Sequence, residues 1–218
     1  SGASQPGLVM GIKGELVANS RNRIFSSSDG GRSWSVLCEV PLDPSVPEGF
    51  KLYSSYILGC AVAEDGSLVV SINKQYNDGR RHEGFNDETY HLGTTILRSA
   101  DRGKTWDGPV KLDPAPFSCV GANPGSRFTR RPGGVLAQAL MVHDQPRPGR
   151  PLPKSNWFSQ AFLFTSSDGG RTWSTTGSLG LHSDESDVIA LPSGRMLAVT
   201  RYQRKKLPGD PADLASSY

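Results

Sequence analysis

Apolar residues along this chain come in short runs separated by glycine-containing turns. Arg23-Ile24-Phe25, Thr94-Thr95-Ile96-Leu97 and Ala161-Phe162-Leu163-Phe164 are examples. Such runs between turn residues predict strands, and no segment keeps a long helical period. Four pairs of runs face each other across tight turns. They are Leu8–Arg21 about Lys13-Gly14, Ile57–Asn73 about Asp65-Gly66, Phe128–Val142 about Gly133-Gly134, and Val188–Arg201 about Ser193-Gly194. Each reads as a β-hairpin, so the chain is expected to be all-β.

An octamer occurs three times between such runs. The copies are Ser27–Trp34, Ser99–Trp106 and Ser166–Trp173, with the shared form Ser-x-Asp-x-Gly-x-(Ser/Thr)-Trp. A strand-prone run lies on either side of each copy, so the octamer reads as a turn. Its Asp and its Ser or Thr can accept hydrogen bonds from the turn's own backbone. The first glycine of copies one and three is Arg102 in copy two, so that position tolerates a side chain. Gly31, Gly103 and Gly170 are common to all copies, which points to a positive φ there. Trp34, Trp106 and Trp173 offer large apolar surfaces for packing between sheets. A turn that recurs with its tryptophan is a folding device, so Asp29, Asp101 and Asp168 are expected to be structural, not catalytic.

Composition narrows the classes. A chain of 218 residues can bury a sizeable core. Its net charge of +3 gives no reason to expect a nucleic-acid partner. The basic cluster Arg201–Lys206 reads as a solvated strand end. No apolar run approaches the ~20 residues of a membrane span. Cys38, Cys60 and Cys119 match no zinc or redox spacing and read as buried thiols on strands or their edges. His82 and His91 flank a polar insertion with Glu83, Asp87 and Glu88, but loop spacing alone assembles no metal site. Neither a metal nor a cofactor is expected.

The octamer resembles the Asp box, or bacterial neuraminidase repeat. The resemblance implies a β-propeller of the sialidase type: here about three and a half four-stranded blades of a six-bladed propeller. Blade one would span about residues 6–40, blade two 56–112, blade three 126–179, and the start of blade four 185–206. A propeller that stops after two strands of a blade leaves an open sheet edge. The expectation is therefore a piece of a larger product, or an open propeller that associates with another copy through its edges. No signal peptide is visible; the family implies an extracellular or periplasmic setting.

In such a blade the first and third turns lie on one face, and the second turn and the crossover lie on the other. The Asp boxes fall on the first face. The long polar segments Pro41–Ser55, Lys74–His91, Asp113–Gly125 and Asp144–Asn156 fall on the second. Binding sites concentrate on long loops carried by a rigid scaffold, so the functional face should be opposite the boxes. There, a hairpin turning at Ser193 brings Glu185 and Arg201 together. An acid and an arginine at a funnel mouth can bind a carboxylated ligand, because guanidinium matches carboxylate geometry.

The stretch Glu185–Arg201 is similar to the Glu-to-Arg hairpin of exo-α-sialidases. By that resemblance Glu185 would be the base paired with a nucleophilic tyrosine, and Arg201 one of three arginines gripping the sialic acid carboxylate. The family's opening Arg-Ile-Pro is absent; Tyr56-Ile57-Leu58 takes a comparable position on blade two. Asp78, in a loop of blade two, is a candidate substrate ligand, although the family places its acid/base aspartate one blade earlier. Arg21 follows Gly14 by the same seven residues that separate Arg201 from Gly194. It is therefore a candidate to replace the missing arginine. His143 could point into the funnel, and His182 precedes Glu185 with no assigned role. The reading is a sialidase-like glycoside hydrolase acting on sialic acid or a related anionic sugar. The alternatives are a non-catalytic propeller that binds carbohydrate or protein, and an Asp-box propeller of another kind.

Overall fold

In a computed structural model, residues 7–10, 14–46, 48–77, 90–121, 126–144 and 159–202 are described. Among them are fifteen strands and no α-helix. The first sheet runs β1 (Gly7–Met10), β2 (Leu16–Ser20), β3 (Arg23–Ser27), β4 (Ser35–Glu39). The second runs β5 (Lys51–Val62), β6 (Leu68–Asn77), β7 (Tyr90–Ser99), β8 (Asp107–Lys111). In the third, the inner strand is in two pieces, β9 (Cys119–Val120) and β10 (Phe128–Arg130), both paired with β11 (Leu136–His143). That sheet is completed by β12 (Ser159–Ser166) and β13 (Ser174–Leu181). The fourth is the pair β14 (Ser183–Ala190) and β15 (Met196–Tyr202). Strand order follows the chain and the pairing is antiparallel throughout. These are three blades and the first half of a fourth.

Three of the expected loops contain strand. β6 runs on to Asn77 and β7 starts at Tyr90, so both enter the Lys74–His91 segment. β5 begins at Lys51, so the crossover into blade two ends before Ser55. β9 lies within the segment expected to be the crossover into blade three.

The blades stack because strands of the middle sheet are apolar on both sides. Successive side chains of a strand point to opposite faces. On β6, Leu68, Val70 and Ile72 join Val17, Ile24 and Val40 of blade one in one buried cluster. The alternate residue, Val69, joins Leu136, Leu140, Phe162 and Phe164 of blade three in the other. A bulge in the β5–β6 pairing between Ile57 and Gly59 shifts the alternation by one. Ile57, Cys60 and Val62 therefore face blade one, while Leu58, Ala61 and Ala63 face blade three. Among the described residues, blade four packs on one side against blade three. Val188 is buried, whereas Ile189, Leu197 and Val199 are exposed.

Three of the hairpins close with the same turn. The N–H groups of Gly66, Gly134 and Gly194 donate to the carbonyls of Ala63, Arg131 and Leu191. Each of these glycines has φ near the left-handed region, at 86°, 77° and 81°. The expected thiols are all free: Cys60 and Cys119 are buried and Cys38 is half-buried. Burial pushes the Cys60 thiol up to about 12, with the neighbouring Cys38 adding to the effect.

Candidate functional site

The octamers form self-contained turns. In the third copy Asp168 Oδ1 accepts from Ser166 Oγ, Arg171 N and Thr172 N, at 2.8, 3.0 and 2.9 Å. Its Oδ2 accepts from Thr172 Oγ1 at 2.6 Å. Ser166 Oγ in turn accepts from Gly170 N at 2.8 Å. Asp29 and Asp101 repeat the arrangement with Ser33 and Thr105. Burial pushes the Asp168 carboxyl up, but bonds from Thr172, Ser166 and the Arg171 backbone outweigh it and bring it to about 2. The Thr105 side chain and backbone, with Ser99, bring Asp101 to about 2. Carboxylates held this way stay ionised and engaged, which suits a turn and not a proton donor.

Positive φ extends over two residues of each octamer. Gly31, Gly103 and Gly170 have φ of 89°, 90° and 91°, and the residues before them have 74°, 61° and 72°. The middle one of those preceding residues is Arg102, which uses its side chain to reach Glu15 of blade one at 2.7 Å. The second and third boxes thus seat on the hairpin turns of blades one and two, the third through Arg171, 3.5 Å from Asp65. In the next seam the buried Arg98 donates to Gly169 O at 3.1 Å and to Asp65 at 2.6 Å. A cleft on this face is lined by Glu64, Asp65, Gly134, Asp168 and Arg171. Asp65 and Asp168 already serve the bonds just described. Nothing in the sequence pattern singled out Arg98, because an arginine at a strand end reads as a surface residue.

The opposite end of blade four is built differently. β13 passes into β14 through His182 alone, which takes a left-handed φ of 55°. The pairing of β14 with β15 then slips: Ser186 faces Thr200, but Ser183 faces Tyr202. Two residues, Asp184 and Glu185, therefore oppose the single residue Arg201. A bulge of this kind re-aims side chains, and here both carboxylates reach the guanidinium. Asp184 takes Arg201 Nε and NH2 in a two-point bond at 2.9 and 2.5 Å. Glu185 lies 3.0 Å from Arg201 NH1. The Asp184 side chain is 9% exposed; those of Glu185 and Arg201 are 42% and 40% exposed. The bond to Asp184 holds the Arg201 guanidinium above its ordinary value. Two carboxylates against one guanidinium leave the cluster with a formal charge of −1 at neutral pH.

The structure thus brings Glu185 and Arg201 together and adds Asp184, which the sequence reading missed. The signal for Asp184 was its position beside Glu185, but an unbroken hairpin register would have turned its side chain to the other face. Arg21 occupies the β2–β3 turn, also at the end opposite the boxes, with φ of 54°. Its carbonyl accepts from Ile57 N of β5 at 2.8 Å. Asp78 lies outside the described residues, as does His82. His143 is buried at the end of β11, its Nδ1 3.0 Å from Asp144 O. Tyr56 is packed against the core between blades two and three, and burial pushes its hydroxyl up. Arg127 of blade three pairs with Asp187 of β14 at 2.7 Å and ties the fourth blade to the third.

Similarity to known proteins is structural. No protein-family model matches the chain, and no curated relative does. A protein of unknown function from Dyadobacter fermentans superposes with a TM-score of 0.60 at 19% identity, over 91% of this chain and 62% of that one. The GH93 α-L-arabinofuranosidase of Fusarium graminearum, solved with arabinobiose, gives 0.56 at 12% identity, over 90% and 58%. The Trypanosoma rangeli sialidase, solved with 2,3-difluorosialic acid as a covalent intermediate, gives 0.53 at 17% identity, over 92% and 34%. The chain spans less than two thirds of the length of each. The fold is the β-propeller that sialidases and GH93 enzymes share.

Proposed function

We propose that the loop-face end of blade four is a carbohydrate site of a glycoside hydrolase-like propeller. The observation that carries this is the Asp184–Glu185–Arg201 cluster, a partly exposed acid and arginine set on a bulge at the end away from the boxes. Glu185 is the candidate catalytic carboxylate and Arg201 the candidate substrate ligand. Arg21 and Asp78 are further candidates for contact with the sugar. In the sialidase form of this reading, Glu185 serves as base to a tyrosine and Arg201 grips the sugar carboxylate. Sialidases depart from the two-carboxylate rule of glycosidases in using tyrosine. A second reading, a propeller that binds sugar without cleaving it, is favoured by the 3.0 Å contact that already engages Glu185 with Arg201.

Saturation-transfer NMR against free sialic acid and arabinobiose tests the site. Arg201→Ala is expected to lose at least tenfold in affinity for whichever sugar binds, while Asp168→Asn on the box face keeps it. Equal losses in both variants contradict the assignment of the face.

A further inference from the structure

We infer that Asp184 is a specificity residue, and that the site takes a neutral, hydroxyl-rich sugar in preference to a carboxylated one. The inference rests on the sugar-site reading above and narrows its ligand.

An arginine recognises a carboxylate by offering two parallel N–H groups to its two oxygens. Asp184 stands in that place. Its Oδ1 accepts from Arg201 Nε and its Oδ2 from NH2, at 2.9 and 2.5 Å. The pair is built in: Asp184 is nearly buried, and its Oδ1 also accepts from the Glu185 backbone N–H. Glu185 holds a third guanidinium nitrogen, NH1, at 3.0 Å. A ligand carboxylate would have to displace an internal carboxylate that is already oriented, and would enter beside a second one. Burying an anion against a cluster of net negative charge is unfavourable on both counts. Sugar hydroxyls face neither obstacle. They donate to the half-exposed Glu185 carboxylate and bring no charge of their own. The bulge is what makes the difference, since it places two acids opposite one arginine.

The test compares the natural chain with Asp184→Asn and Glu185→Gln, titrated with N-acetylneuraminic acid and with arabinobiose. Asp184→Asn keeps the side chain's shape and removes the competing charge. Glu185→Gln removes one charge but leaves the two-point pair in place. The natural chain is expected to bind arabinobiose at least tenfold more tightly than the acid. Asp184→Asn should gain at least tenfold for N-acetylneuraminic acid, and Glu185→Gln should gain less than threefold. If the natural chain binds the acid as well as arabinobiose, Asp184 does not set specificity, although the sugar-site reading stands. If neither sugar binds any of the three proteins, the sugar-site reading itself falls. The first comparison needs only the natural chain, so it decides the matter even if Asp184→Asn does not fold.

Discussion

At the scale of the residue, the boxes and the blade-four cluster use the same side chains to opposite ends. Asp168 spends both oxygens on its own turn, and Asp184 spends both on an arginine seventeen residues away. The first kind of use has a consequence for acid stability. The Asp168 carboxyl sits at about 2, below its ordinary 3.8. A depressed folded-state value means the stabilisation is complete above the unfolded value and is lost as pH falls through the folded one. Asp168→Asn is therefore expected to melt below the natural chain at pH 7, with the gap narrowing from about pH 4 and closing near pH 2. Melting curves across that range check it; a gap that stays constant contradicts it. The box residues were legible because one turn, three times over, must obey one backbone geometry. Gly103 shows why: a Cβ there would run into Cys38 of the blade before, and its φ is 90°. Asp184 was not legible, because its role depends on a register slip that no local pattern announces.

At the scale of the element, each hairpin and each box was readable from alternation and turn residues. What escaped were the irregularities. β5 begins earlier than its apolar run, the inner strand of blade three is split, and β14 carries a bulge at its end away from the boxes. Bulges leave composition unchanged and alter only which face a side chain takes. The box tryptophans separate the turn from its packing. Trp34 and Trp173 both donate from Nε1 to a box glycine carbonyl at 3.1 Å. Trp173 also packs against Phe128, with ring centroids 5.7 Å apart, and joins the core between blades two and three. Trp34 is 41% exposed. Trp173→Ala should cost about 3 kcal/mol and Trp34→Ala about 1 kcal/mol or less. Denaturant unfolding distinguishes them, and equal costs would mean that the turn, not the seam between blades, carries the tryptophan's contribution.

At the scale of the whole molecule, two apolar seams hold the first three blades together, and the middle blade is apolar on both sides to serve them. Boxes and hairpin turns crowd one face and tie blade to blade through Arg102–Glu15 and Arg98–Gly169. The other face carries the blade-four cluster, in which an acid and an arginine are both partly open to solvent. This division of labour is the central claim. It is tested most directly by a 15N amide titration with arabinobiose, following the shift of each backbone signal. The account predicts the largest changes at His182–Ser186 and Thr200–Tyr202. Changes concentrated instead at Asp65, Gly134, Asp168 and Gly169, around the cleft among the boxes, would contradict it.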